Sequence, residues 1–202
     1  MLKASGIFFL TLAGSLPLGM VVALLKKNGN LLVRGIIRVY ISVMRGTPLM
    51  LQLLVWYFGP YYLFGLPIKG WRFPAIIIGF VMNYAAYFAE IYRGGIESMP
   101  KGQYEACQVL GYSKTQTFMK VILPQVIKRI LPSVTNEVIT LVKDTSLAFT
   151  LAYQEVFSLA KQISAAETSF TPFVIAGIFY YAANYAVAFV MEKIEGALDY
   201  YR

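Results

Sequence analysis

Histidine is absent from this sequence, and cysteine occurs once, at Cys107. A zinc or haem site built from imidazole or paired thiolates is therefore excluded, as is a disulfide within the chain. Charge is scarce as well: Asp, Glu, Lys and Arg make up 14% of the residues, against about 25% in a typical soluble domain. Apolar residues reach 58%, and the mean hydropathy is +0.61. This composition points to a bilayer rather than water as the solvent. The 202 residues leave room for one domain and no more than about six spans of roughly 20 residues. Strand alternation of the outer-membrane barrel type is missing, so the expected fold is an all-α integral membrane protein.

Uncharged runs predict where the chain crosses. Five transmembrane helices are expected over about 4–25, 47–66, 73–92, 130–152 and 170–191. Pro48, Pro74, Pro132 and Pro172 stand near the start of four of them, where a missing N–H costs little. The first run is longer than the roughly 7 to 15 apolar residues of a signal peptide and is followed by basic residues, so it reads as a span. A kink is expected in it at Pro17, with close packing through Gly6, Gly14, Ser15 and Gly19.

The 18 Lys and Arg exceed the 10 Asp and Glu, giving +8, and their distribution carries the meaning. Lys26, Lys27, Arg34, Arg38 and Arg45 follow the first span. Arg93, Lys101, Lys114, Lys120, Lys128 and Arg129 follow the third, and Lys193 and Arg202 the fifth. The other side holds only Lys3, Lys69, Arg72 and Lys161. The positive-inside rule then predicts the N-terminus outside and the C-terminus in the cytoplasm. The basic excess is a topology signal, and nucleic acid is not an expected partner.

The segment 93–129 is the longest polar stretch, yet it keeps apolar positions at helical spacing: Tyr104, Cys107, Val109 and Leu110, then Tyr112, Phe118, Val121 and Ile122. Two short amphipathic helices broken near Gly111 fit this pattern. Such a pair is too short to span, so it rests on lipid or docks on another protein. Within it run Glu105-Ala106-Cys107, three residues, Gly111, nine residues, then Val121-Ile122-Leu123-Pro124. This resembles the EAA loop of ABC-importer permeases, with Cys107 for the second Ala and Val121 for an Ile. Arg45-Gly46-Thr47-Pro48, Ala89-Glu90-Ile91-Tyr92-Arg93-Gly94-Gly95-Ile96 and Lys143-Asp144-Thr145-Ser146-Leu147 are similar to the polar amino-acid uptake branch of those permeases.

The resemblance implies a permease subunit of a bacterial-type inner membrane that forms the translocation pathway and pairs with a second permease. It also implies coupling through Glu105, Ala106, Gly111, Leu123 and Pro124 to a separate ATP-binding cassette subunit. ATP and Mg then belong to that partner, this chain carries no cofactor, and a periplasmic or extracellular solute-binding protein delivers an amino acid. The chain itself has no G-x-x-x-x-G-K-[ST] with which to cradle phosphates.

Polar residues inside the spans mark the expected pathway, because they are costly there. They are Asn83, Tyr84, Tyr87 and Glu90 in the third span, Glu137, Lys143, Asp144, Thr145 and Ser146 in the fourth, and Asn184 in the fifth. Asn83, Tyr87 and Glu90 share one helix face. A local ion pair is the simpler reading of Glu90 with Arg93, and cross-helix pairing that of Lys143 and Asp144. The excess of acids over Lys143 favours a cationic solute. The alternative function is a self-sufficient ion-coupled secondary transporter or channel with Glu90, Glu137, Lys143 and Asp144 as its relay, although no internal repeat supports it.

Overall fold

The computed structural model describes residues 2–198 as a helical bundle; Arg202, counted above among the inward basic residues, lies outside them. The helices are α1 (Leu2–Asn28), α2 (Leu31–Gly46), α3 (Leu49–Phe64), α4 (Arg72–Glu97), α5 (Lys101–Val109), α6 (Lys114–Gln116), α7 (Leu123–Asp144), α8 (Val156–Glu167) and α9 (Thr171–Ala197). A π-helical turn, Thr117–Ile122, leads into α7, and a 3-10 segment, Thr145–Leu151, follows it.

By length and composition α1, α4 and α9 can each cross a membrane, and a fourth crossing arises if α2 and α3, bent by 115° at their break, form one span. α3 alone has 16 residues, or about 24 Å at 1.5 Å per residue, short of a hydrocarbon core of about 30 Å. α7 holds only 130–144 of the expected fourth span, the remainder being the 3-10 segment and its end; it also begins earlier and carries Lys128, Arg129, Glu137, Lys143 and Asp144, which keep it below the apolar standard of the other three.

The core is built around α4. Ile76, Phe80, Tyr84, Phe88 and Tyr92 recur every four residues and are buried, as Ala85, Ala86 and Ala89 are between them. α1 packs chiefly on α4, and small residues set the approach. A Cβ on Gly14 would lie 2.8 Å from Val81, and one on Gly19 would lie 2.8 Å from Phe88 and 3.1 Å from the Ala85 carbonyl. Ser15 is fully buried in the same seam. Gly6, expected there too, has no such neighbour: a Cβ on it would meet nothing within 4 Å.

Two segments read as loops from sequence are helical. Residues 26–45 complete α1 and form α2, whose Ile37, Tyr40, Ile41 and Met44 pack on the core; of the basic residues that obscured them, Arg34 and Arg38 are exposed, while Lys26 and Arg45 reach Glu90 on α4. The stretch 155–171 contains α8, opened by Glu155, whose carboxylate accepts from the N–H groups of Phe157 (2.6 Å) and Ser158 (2.5 Å). Proline usage is also shifted: Pro124 stands in the first turn of α7, while Pro132 is interior. The π-turn accommodates Pro124, since the Leu123 N–H reaches back to the Phe118 carbonyl.

Candidate functional site

Three clusters of the residues singled out above occupy different parts of the bundle. The first is a hairpin of α5, α6 and the start of α7. α5 ends on Gly111 at φ +75°, with the Gly111 N–H bonded to the Gln108 carbonyl and the Tyr112 N–H to the Cys107 carbonyl, each at 3.0 Å. Only a residue tolerant of the left-handed region closes a helix this way. Ser113 then caps α6 through a reciprocal box with Gln116.

The two arms are clasped by paired amides. Gln103 Nε2 donates to Gln125 Oε1 and Gln125 Nε2 to Gln103 Oε1, both at 2.8 Å. Met99, Ile122 and Val126 form a small core beneath them, and Arg129 Nη1 donates to the Ser98 carbonyl at 2.9 Å. Cys107 is buried on the inner side, whereas Glu105, Ala106 and Gly111 are exposed, with Val109 at 88% and Leu110 at 72%. Leu123 and Pro124 are half-buried where the hairpin joins α7. The outer face of α5 is therefore an unpartnered surface on a stiff support.

The second cluster lies where α4 meets α2 and the first turn of α3. Asn83 Nδ2 donates to the Met44 carbonyl (3.0 Å) and to Gln52 Oε1 (2.9 Å). Gln52 Nε2 donates to Thr47 Oγ1 (2.9 Å) and to the Met44 and Thr47 carbonyls. The Arg45-Gly46-Thr47-Pro48 sequence is thus the corner between α2 and α3, and Asn83 pins it to α4. Glu90, with its side chain 14% exposed, is paired with Lys26 and Arg93, the latter at 2.7 Å, and has Arg45 at 3.9 Å. Arg45 also lies 5.2 Å from the centre of the Tyr87 ring. Asn83, Tyr87 and Glu90 share a face as their spacing requires, but its neighbours are the α2–α3 corner and basic side chains. The Asn83 amide nitrogen and both Glu90 carboxylate oxygens are engaged in these contacts, so the expected Glu90–Arg93 pair is one part of a larger cluster.

The third cluster joins α4 to the end of α7. Tyr84 Oη donates to Asp144 Oδ2 at 2.7 Å, which gives Asp144 the cross-helix partner expected from the direction of its side chain. Glu137 precedes Asp144 by seven residues and so shares its face; it lies within electrostatic reach of Arg45 and Asp144. Lys143 is exposed and has no ion pair among the described residues. Thr145 is buried and donates to the Val142 carbonyl at 2.8 Å, and Ser146 is half-buried beside it. On α9, Asn184 Oδ1 is buried without a hydrogen-bond partner among the described residues.

Sequence reading missed Gln52 and Glu155. Gln52 is the one amide in the apolar run 46–68, a signal that the cost of intramembrane polar groups could have raised. Glu155, besides capping α8, accepts from Tyr180 Oη at 2.8 Å, a tertiary contact no local pattern announces.

Residues 15–200 match the family described as binding-protein-dependent transport system inner membrane components. A Rickettsia bellii protein provisionally named a glutamine transport system permease is 38% identical over 185 residues, covering 91% of this chain and 84% of its own. The arginine transport system permease of Bacillus subtilis is 38% identical over 160 residues, covering 79% and 72%. Among solved structures, an amino acid ABC transporter crystallised with histidines superposes with a TM-score of 0.87 at 30% identity, over 98% of this chain and 91% of that one.

Proposed function

Because the chain belongs to the binding-protein-dependent inner membrane component family and is the permease subunit of an amino-acid ABC importer, with ATP hydrolysis on a separate chain, we propose how its parts divide the work. The observation that carries the reading is the clasped hairpin with its exposed outer face. Glu105, Ala106 and Gly111 dock on the ATP-binding cassette subunit, which holds ATP and Mg. Leu123 and Pro124 pass its movement to α7, while Gly95 and Arg129 tie α4 into the same lever.

In this reading α1, α3 with its flanking residues over about 47–66, α4, α7 continued by the 3-10 segment, and α9 are the five spans of a multi-pass protein of the bacterial inner membrane, with the N-terminus outside. The 3-10 segment and the corner at Thr47 supply the irregular backbone that membranes tolerate only where protein covers it. A second permease, either a copy or a paralogue, covers the exposed faces of α3 and α9, and a solute-binding protein meets the side carrying α8. Solute passes between α4 and α7. Glu90 is held by Lys26 and Arg93, which leaves Asp144 and Glu137 to meet an amine, with Tyr84 and Tyr87 facing them. Lys143, Thr145, Ser146 and Asn184 line the route towards the second permease. Two acids against Lys143 suit a polar amino acid with a cationic side chain; arginine transport by the Bacillus relative supports that class.

The test is uptake by the permease, its ATPase and its binding protein reconstituted in vesicles. Gly111→Val and Glu105→Arg should abolish ATP-driven uptake while solute binding to the isolated binding protein is unaffected. Asp144→Asn should cut uptake of arginine at least tenfold. Uptake unchanged in the first two variants removes the hairpin from coupling. Transport by the chain alone on an ion gradient would restore the secondary-transporter alternative.

A further inference from the structure

At the end of the bundle that carries the hairpin, α1, α2, α4 and α5 enclose a cavity of about 580 Å³, within the roughly 300–1,000 Å³ of small-ligand sites. Its wall holds the basic side chains Lys26, Lys27, Arg34, Arg38, Arg93 and Lys101, against the single acid Glu97. Glu90 neutralises Lys26, and Glu90 and Glu97 neutralise Arg93. Lys27, Arg34, Arg38 and Lys101 have no ion pair among the described residues. Four like charges around one cavity repel one another and call for an anion.

The same wall is partly apolar, through Ala23, Leu24, Ile96 and Met99. On the side of α2 turned away from Arg34 and Arg38 runs an exposed apolar stripe: Leu32 at 72%, Ile36 at 59%, Val39 at 63% and Val43 at 46%. Spacings of four, three and four put these on one side of the helix. A helix with an apolar stripe on one side and arginines on the other lies at the boundary between headgroups and acyl chains. Arg34 and Arg38 are one turn apart on α2, and Arg34 is fixed by a 2.9 Å hydrogen bond from Nη2 to the Lys27 carbonyl. Two guanidinium groups so presented suit the oxygens of a phosphate ester.

We propose that this cavity binds the phosphate headgroup of an anionic phospholipid from the inner leaflet, with its acyl chains along Leu24 and the exposed Val21 and Leu25 of α1. The proposal rests on the orientation given above, which puts the hairpin side inward. Leu24 both lines the cavity and is exposed beside Val21 and Leu25 of α1, so the basic cavity opens onto an apolar surface, which favours a lipid over free phosphate. Because α1, α2, α4 and α5 all border the cavity, an occupant there bridges the root of the hairpin to the bundle.

The complex with its ATPase is to be purified, washed with phosphatidylcholine-containing detergent and assayed by mass spectrometry for retained phosphatidylglycerol. Wild type should retain it, and Arg34→Gln with Arg38→Gln should lose it. A basic residue near an anionic lipid surface contributes about a fivefold preference, so the double variant should hold it roughly 25-fold less tightly. Phosphatidylglycerol added to phosphatidylcholine vesicles should raise ATP-driven uptake by wild type but not by the double variant, and inorganic phosphate should not substitute. Equal retention by both proteins overturns the proposal, as does activation by inorganic phosphate alone. Loss of the lipid from wild type once the ATPase binds assigns the cavity to the ATPase and overturns it too. Failure of the permease reading would look different: no ATP-driven uptake in vesicles of any composition, whatever lipid the protein retains.

Discussion

Gly94 and Gly95 are neighbours near the end of α4, and the structure separates them sharply. A Cβ on Gly95 would lie 2.2 Å from Ile130 Cγ2 and 3.1 Å from Val126 Cγ1, whereas one on Gly94 would meet nothing within 4 Å. Carbon atoms pack favourably at about 3.5–4.0 Å, so Gly95→Ala demands a displacement of more than about 1 Å. Ile130 cannot readily swing aside, because a β-branched residue in a helix has one strongly preferred rotamer. Both substitutions bring the same helix-propensity gain of about 1 kcal/mol, which cancels when they are compared. What remains is overpacking, about 1–3 kcal/mol. At about 2–4 °C per kcal/mol for a chain of this size, Gly95→Ala should melt roughly 2–12 °C below Gly94→Ala when the purified complex is followed by intrinsic fluorescence. Ile130→Ala in the Gly95→Ala background should recover part of that loss, and uptake with it if the α4–α7 crossing carries the coupling stroke. Equal melting of the two alanine variants would refute the close approach of α4 and α7, and with it the lever.

Other outcomes follow from the same geometry. Gly111→Val forces a β-branched residue into the left-handed region at about 1–2 kcal/mol and should abolish stimulation of the ATPase by solute-loaded binding protein, while Gly111→Asn retains most of it. Asn83→Ala strips the Met44 carbonyl and Gln52 of a donor, a loss of about 1–3 kcal/mol that should appear as a lower melting temperature with the KM for solute unchanged. Glu90→Gln leaves Lys26 and Arg93 without their shared carboxylate and should destabilise by a similar amount, about 1–3 kcal/mol; more transport after the change would argue that Glu90 gates the route instead. Cys107 is buried, so sidedness is better read with Leu110→Cys in a Cys107→Ala background: an impermeant thiol reagent should label it in inside-out vesicles and spare it in intact cells.

The apolar runs were legible because a membrane span needs length and little else. α1, α4 and α9 each contain the run that announced them. The hairpin was legible for a different reason: its apolar positions keep helical spacing on both sides of Gly111, and a bend needs such a residue. α2 was not, because its Arg34, Arg38 and Arg45 satisfied the expectation of a basic loop while Ile37, Ile41 and Met44 formed the buried face. Among the residues expected to line the pathway, polar groups within spans could be read from the sequence but not their partners. Whether Asn83 faces solute or the Met44 carbonyl depends on where α2 packs, and no local pattern encodes that. The Tyr84–Asp144 bond joins residues 60 positions apart and was visible only as two costly groups awaiting company.

The clasp between Gln103 and Gln125 has an implication for the cell that houses this transporter. Neither amide carries a charge, so neither acid stress nor a surge of intracellular potassium can loosen the joint, whereas the charged knot around Glu90 is open to screening by salt. In the coupling role proposed above, the hairpin is thereby insulated from the fluctuations of the medium in which it works.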